Sequence, residues 1–483
     1  MDEYLEPHVY GENEEPDEPS MLPVVAIIGA PNVGKSTLFN RITKTRDALV
    51  ADEPGVTRDR QYGIATVGDR RFLLVDTGGI ADNKNAIQDL TTDQAERALE
   101  ESDVAIFLVD GRAGPSATDE QLVTRLRRVD IPVVLAVNKT EGFISESAVS
   151  DFYAFGMGEP TPISSAHGHG VRELIEDVLA LLPSAEQLRE PEDSGIRVAI
   201  VGKPNVGKST LVNRLVGEDR VVAHDLPGTT RDSIRVPLTR HGQRFTLIDT
   251  AGIRRRTRVT DGVEKFSVIK SLQSIEAAHV VALIIDAHEG VTDQDATLLD
   301  QIERKGRALV IGINKWDGMS PYERDEARRS LDLKLGFLDY ASIHYISALH
   351  GSGVGDVMES VVNAWRSAYT KIPTPEINRL LEDAVTRHSP PLVHGRRIKL
   401  RYAHLGGSNP PRIVIHGNQV DALPDGYKRY LARFFRNALK LHGTPVWIET
   451  RTSKNPFEGR VNKLNPRQER QRKRMLKHVK RRS

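Results

Sequence analysis

Residues 29–37 read GAPNVGKST, and residues 202–210 read GKPNVGKST. Each copy follows a short apolar run, Val24–Ile28 or Val198–Val201, and precedes a helical pattern, Leu38–Ile42 or Leu211–Leu215. Strand, glycine-rich loop, Lys-Ser and helix start together make a phosphate-binding loop. Glycine lets the backbone wrap closely round phosphate oxygens, and amides at the helix start aim partial positive charge at them. The first loop is Gly29, Ala30, Pro31, Asn32, Val33, Gly34, Lys35, Ser36 and Thr37. The second is Gly202, Lys203, Pro204, Asn205, Val206, Gly207, Lys208, Ser209 and Thr210. Lys35 and Lys208 put a point charge on the outer phosphates, while Ser36 and Ser209 offer a hydroxyl to Mg²⁺. One match can be a chance helix-start turn. Two in the same strand-to-helix context make chance a poor reading.

The repeat extends well beyond the loops. Gly29 matches Gly202, Thr57 matches Thr230 and Asp76 matches Asp249, each pair 173 positions apart (202−29, 230−57, 249−76). Two domains of one architecture in tandem follow, over 21–183 and 196–368. VVAII, RFLLVD, VAIFLVD and VVLAVN are continuous apolar runs, as expected when helices cover both faces of a sheet. Helical stretches separate them, which predicts a doubly wound, mostly parallel α/β sheet with ligands beyond the carboxyl ends of its strands. Residues 184–195, SAEQLREPEDSG, read as an acidic linker. Residues 369–450 differ. Helix, two strands, helix and strand predict a small αββαβ domain without a phosphate loop. Its second helix should bury Tyr427, Tyr430, Leu431, Phe434 and Phe435 on one face. Arg429, Arg433, Arg436 and Lys440 should share another.

At 483 residues the chain has room for about three domains of ~150 residues. It has no Cys, which excludes disulfides, thiolate metal sites and Cys nucleophiles. No run approaches the ~18 apolar residues of a membrane span, and the N-terminus is unlike a signal peptide, so a cytoplasmic location is expected. The net charge of +1 hides segregation. Residues 1–20 hold eight acidic residues and no Lys or Arg, and should be disordered. Residues 451–483 hold thirteen Lys/Arg against Glu458 and Glu469, a candidate nucleic-acid tail.

Further motifs fall at the expected sheet end. PGVTRD (54–59) and PGTTRD (227–232) put Thr57 and Thr230 where a mobile loop can bring a hydroxyl to Mg²⁺. Asp76, Thr77, Gly78 and Gly79 end a strand, as do Asp249, Thr250, Ala251 and Gly252. Each Asp can reach the metal through water, and a glycine amide can detect the outer phosphate. Asn314, Lys315, Trp316 and Asp317 form the base reader. The Asp317 carboxylate can accept from N1–H and the exocyclic amine of guanine, a donor pair that adenine lacks, and this disfavours an ATPase. Ser347 and Ala348 would place an amide near the guanine oxygen. The first repeat has Asn138, Lys139, Thr140 and Glu141, then Ser165 and Ala166. Its carboxylate is one methylene longer, and either guanine reading by a retracted loop or relaxed specificity is open.

This combination resembles the translation-factor-like GTPases. The tandem arrangement with a small αββαβ domain resembles one family among them, the bacterial ribosome-assembly GTPases called Der or EngA, over roughly 21–450. The resemblance implies GTP and GDP as ligands and GTP-dependent binding to the large ribosomal subunit and its rRNA. No DNA or membrane partner is expected, and a monomer is expected. It implies that nucleotide state moves the first G domain and that the last domain is KH-like. That domain lacks an evident GxxG loop, so single-strand clamping by that route is not expected.

In Ras-like GTPases a Gln after the DxxG glycine orients the attacking water. Here Ile80 and Ile253 stand there. The domains do not hydrolyse, or a partner supplies the group, or an ion replaces it. Asn32 and Asn205 favour the ion, because the sequence resembles GTPases in which that Asn helps hold a K⁺ against the phosphates. Their plain alternative is tolerance of the loop's turn. On this reading Asn32, Lys35, Thr57, Asn205, Lys208 and Thr230 carry catalysis. Arg254, Arg255, Arg256 and Arg258 form either a solvated loop or an rRNA contact, whereas Ala81 to Asn85 in the first repeat are nearly neutral. The rival function is an RNA-binding scaffold that senses guanine nucleotide with little turnover.

Overall fold

The computed structural model describes residues 21–43, 48–49, 61–68, 70–77, 99–129, 131–141, 149–184, 195–218, 235–248, 268–336, 338–393 and 396–452. The acidic head, most of the linker and the tail from 453 lie outside them. So do Thr57, Gly78, Gly79, Ile80, Thr230, the 249–252 motif, Ile253 and the Arg254–Arg258 run.

The first repeat is built from β1 (Val24–Ile28), α1 (Lys35–Ile42), β2 (Ala48–Leu49), β3 (Gln61–Val67), β4 (Arg70–Asp76), β5 (Val104–Asp110), α2 (Ala117–Leu126), β6 (Val133–Asn138), β7 (Thr161–Pro162) and α3 (Val171–Leu181). Its sheet runs β2-β3-β4-β1-β5-β6-β7. β2, β3 and β4 pair antiparallel, and the rest are parallel. The apolar runs are continuous because both faces are covered. Val25 and Ile27 pack under α1 and α3, while Ala26 and Ile28 face α2 and the Phe152–Phe155 turn.

The second repeat follows the same plan with β8 (Ile196–Val201), α4 (Lys208–Glu218), β9 (Val236–Arg240), β10 (Gln243–Ile248), α5 (Val268–Ala277), β11 (Val280–Asp286), α6 (Asp293–Arg304), β12 (Ala308–Asn314), α7 (Pro321–Leu335), β13 (Ser342–Tyr345) and α8 (Val354–Ala368). Sheet order is β13-β12-β11-β8-β10-β9. Val198 and Ile200 pack under α4 and α8, Ala199 and Val201 under α5, α6 and α7. Two doubly wound P-loop domains in tandem are thus present, as the repeat predicts.

Helix α5 serves both domains. Ile275 and Ala277 lie in the second core, while Ile269 and Leu272 join Leu22, Val24, Tyr62, Ile64, Leu73 and Val75 of the first repeat in one buried cluster. Glu276, buried at its end, meets Lys305 at 2.6 Å, Arg307 at 3.2 Å and Arg71 of the first repeat at 3.7 Å. Burial alone would push its pKa up; the three cations outweigh that and hold it at about 2.

The described residues form two compact units. The first ends at Thr370 and takes in Gly407–Pro411 and Leu439–Trp447; the second comprises Lys371–Gly406, Arg412–Ala438 and the strand from Ile448. The last part of the chain runs α9 (Thr374–Arg387), the short β14 (Leu392–Val393) and β15 (Arg396–Arg397), β16 (Lys399–Gly407), β17 (Arg412–Asn418), α10 (Asp425–Ala438) and β18 (Trp447–Thr452). The long elements keep the expected αββαβ order, and the sheet runs β16-β17-β18. Tyr427, Leu431 and Phe435 of α10 are buried, and Tyr430 donates to the Ala384 carbonyl of α9 at 2.9 Å. The expected basic face is broken. Arg436 is only 8% exposed and the helix ends at Ala438, so Arg429 and Arg433 remain on it while Lys440 lies beyond.

Candidate functional site

Each phosphate loop turns through left-handed backbone before its helix, at Asn32 (φ 65°) and Gly34 (φ 102°), then at Asn205 (φ 63°) and Gly207 (φ 99°). Asn is among the few residues with a side chain that accept this region readily, so the turn by itself explains both asparagines. The glycines answer to a neighbour as well as to φ. A Cβ on Gly34 would stand 2.4 Å from Asn138 Nδ2, and one on Gly207 2.3 Å from Asn314 Nδ2.

Those asparagines join three loops. Asn138 Nδ2 donates to the Val33 carbonyl at 2.7 Å, and its Oδ1 accepts from the Ser165 amide at 2.8 Å. Asn314 does the same with Val206 at 2.7 Å and Ala348 at 2.8 Å. Ser165 therefore corresponds to Ala348, and Ser164 to Ser347. The equivalence of Ser165–Ala166 with Ser347–Ala348 expected from sequence is shifted by one residue. The intervening segments differ in length: the Asn pair is 176 positions apart (314−138) and the Ser165–Ala348 pair 183 (348−165).

Lys35 is buried, with Nζ donating to the Gly29 and Ala30 carbonyls at 2.9 and 2.7 Å. Burial lowers its pKa more than nearby Asp76 raises it. Lys208 Nζ donates to the Lys203 carbonyl at 2.7 Å. Both ammonium groups thus lie across the loop that would cradle phosphates. Ser36 Oγ donates to the buried Asp76 Oδ2 at 2.7 Å. A hydroxyl and a carboxylate converging beside a phosphate loop are the hard oxygen donors that Mg²⁺ takes. Thr77 Oγ1 fixes the strand end by donating to the Ile27 carbonyl at 2.7 Å.

Two residues missed in the sequence reading anchor the base side. Asp110 Oδ2 accepts from Lys139 Nζ at 2.6 Å, and Asp286 Oδ2 from Lys315 Nζ at 2.6 Å. Lys139 also donates to the Asn32 carbonyl at 2.8 Å. Burial pushes the Asp110 carboxyl up, and Lys139 with the amides of Arg112 and Ala113 pulls it below its usual range. The signal was available: each Asp ends an otherwise apolar buried strand, VAIFLVD or VVALIID. The second loop adds one contact of its own, an ion pair between Lys203 and Glu289. In the first repeat Ala30 and Ala113 hold those positions.

The carboxylates expected to read the base differ in their partners. Glu141 Oε1 accepts from Arg112 at 2.6 Å. Asp317 Oδ2 lies 3.1 Å from His350 Nε2. Ser164, the Glu141 amide, Arg112 and His167 hold Glu141 below the usual carboxylate range; Ser347, the Asp317 amide, His350 and Arg324 do so for Asp317. Thr140 Oγ1 donates to the Ile163 carbonyl at 2.9 Å, whereas Trp316 packs on Tyr345 with ring centroids 4.2 Å apart.

The family model described as a 50S ribosome-binding GTPase matches twice, over 24–139 and 197–315. The KH-domain-like C-terminal model of EngA bacterial GTPases matches 371–451. GTPase Der of Methylococcus capsulatus is 56% identical over 96% of this chain and 100% of its own. That of Thioalkalivibrio sulfidiphilus is 54% identical over 95% and 100%, and that of Hahella chejuensis 54% over 95% and 98%. The chain belongs to the GTPase Der family. It is accordingly a GTPase with two G domains and a KH-like domain, and the GTPase reading is favoured over the scaffold with little turnover. Among the described residues no helix is long and apolar enough to cross a membrane.

Proposed function

We propose that this GTPase is a nucleotide switch in assembly and maturation of the large ribosomal subunit, with GTP bound and hydrolysed at both sites. The observation that carries the reading is the twofold occurrence of one geometry, in which a single Asn joins the phosphate loop to the base-reading loops. The ribosomal part rests on the family names and on the basic tail at 451–483.

Lys35 and Lys208 would bind the outer phosphates, and Glu141 and Asp317 would accept from the guanine edge. Ser36 and Asp76, with Thr57, would hold Mg²⁺ at the first site, and Ser209, Thr230 and Asp249 at the second. The ion would neutralise phosphate charge there. With Ile80 and Ile253 offering no polar group, Asn32 and Asn205 would favour a K⁺ beside the phosphates. Nucleotide state would reposition the first G domain, and the protein would work as a cytoplasmic monomer. The domain limits are taken as 21–183, 196–368 and 369–450.

The test is GTP turnover with and without purified large subunits, in potassium buffer. Turnover that rises with large but not small subunits is expected. Equal rates with both, or with neither, would remove the large subunit from the account.

A further inference from the structure

A longer carboxylate tether has more rotamers to lose before it can accept two directed hydrogen bonds. Glu141 therefore needs something that Asp317 does not. Arg112 supplies it, donating from its guanidinium to Glu141 Oε1 at 2.6 Å. The base of that arm is itself fixed, since the Arg112 amide donates to Asp110 Oδ1 at 2.9 Å, and Asp110 holds Lys139. In the second repeat the matching position is His288, whose amide donates to Asp286 Oδ1 at 3.0 Å; Asp317 is met instead by His350. Ser164 and Ser347 correspond, and each helps hold the neighbouring carboxyl group below its usual range.

We propose that Arg112 is a positioning residue for guanine recognition at the first site, taking up the added methylene of Glu141 and holding its carboxylate where that of Asp317 stands. The proposal rests on the reading of the first site as a guanine site. Arg112 touches the carboxylate and not the base, so it should act on the choice of base rather than on phosphate binding.

The experiment uses the full chain with Lys208→Ala, so that only the first site binds, titrated with GDP and with IDP, which lacks the exocyclic amine. The parent first site should prefer GDP. Arg112→Ala should cut that preference about fivefold, the upper range for an exposed ion pair, while IDP affinity changes less than about twofold. Adding Glu141→Asp to Arg112→Ala should restore the preference, because the shorter side chain needs no clamp. In a Lys35→Ala chain, Arg112→Ala should leave the second site's preference as it was. An undiminished preference in Arg112→Ala, failure of Glu141→Asp to restore it, or an equal loss at the second site would overturn the role of Arg112. A parent first site indifferent between GDP and IDP would instead overturn the guanine reading beneath it.

Discussion

The two G domains keep the same skeleton and differ in what surrounds it. In both, an Asn at a strand end, Asn138 of β6 or Asn314 of β12, ties the phosphate loop to the loop expected to face the base within 0.1 Å of the same distances. In both, an Asp at the preceding strand end holds a Lys in left-handed backbone. Around that frame the first repeat has a long carboxylate clamped by Arg112 and a small, uncharged Ala30–Ala113 pair. The second has a short carboxylate beside His350 and the Lys203–Glu289 ion pair. The Asn-centred contacts and the Asp–Lys contacts are therefore shared, whereas contacts that tune a single side chain vary. One Asn-centred junction thus stands beneath two different sets of side-chain contacts.

The largest effect should come from the base reader. Asp317→Asn, measured in a Lys35→Ala chain, should shift preference from GTP towards XTP by about 10³-fold or more, since a guanine-facing acceptor becomes an amide. Glu141→Gln in a Lys208→Ala chain should do the same at the first site. A shift at one site only would mean that the repeats differ in how they read the base and not merely in tether length.

Next in size is the response to potassium. Turnover should be at least about tenfold faster in K⁺ than in Na⁺ at equal ionic strength, a part of the 10³–10⁵ that an arginine finger gives. Asn32→Ala and Asn205→Ala, each with the other site disabled, should lose this stimulation and keep most GTP affinity. Since the left-handed turn alone accounts for Asn at both positions, Asn205→Gly is the sharper comparison. It keeps the turn and should still lose the potassium response.

The remaining difference is one of acid stability rather than of specificity or rate. The Val24 amide at the start of β1 donates to Asp103 Oδ2 at 2.8 Å; the matching Arg197 amide at the start of β8 lies 3.1 Å from His279 Nδ1. Burial, then Arg197 and Arg307, lower the His279 pKa to about 3 from its usual 6.5. The unfolded chain takes up this proton below about pH 6.5 and the folded one only near 3. The second domain should thus lose stability as pH falls through that window, by at most about 1.4 kcal/mol per pH unit. All three tryptophans, Trp316, Trp365 and Trp447, lie after residue 195, so their fluorescence reports denaturant unfolding of this half. His279→Gln should flatten the dependence. An unchanged slope would move its cause elsewhere.

Much of this was legible because phosphate loops constrain residues locally. A glycine-rich turn, a Lys at the helix start and an Asp closing an apolar strand are visible as letters at fixed spacing. The covered sheets showed for the same reason, as unbroken apolar runs. What escaped depends on elements distant in the chain. The pairing of Arg112 with Glu141 spans 29 positions, and the one-residue shift to Ser164 goes with a longer segment between Asn314 and Ala348 than between Asn138 and Ser165. The burial of Arg436 reflects packing around a helix whose basic spacing, read alone, looked solvated. The shared use of α5 by both domains leaves no periodic mark, since Ile269 and Leu272 read as any amphipathic helix.

The central claim is that one chain carries two complete and separate guanine-nucleotide sites. Counting bound GDP per chain after Mg²⁺-GDP saturation and rapid desalting, in parent, Lys35→Ala, Lys208→Ala and the double variant, tests it most directly. The account predicts about two, one, one and zero equivalents, because each Lys lies across its own phosphate loop. Loss of all bound nucleotide in either single variant would contradict it.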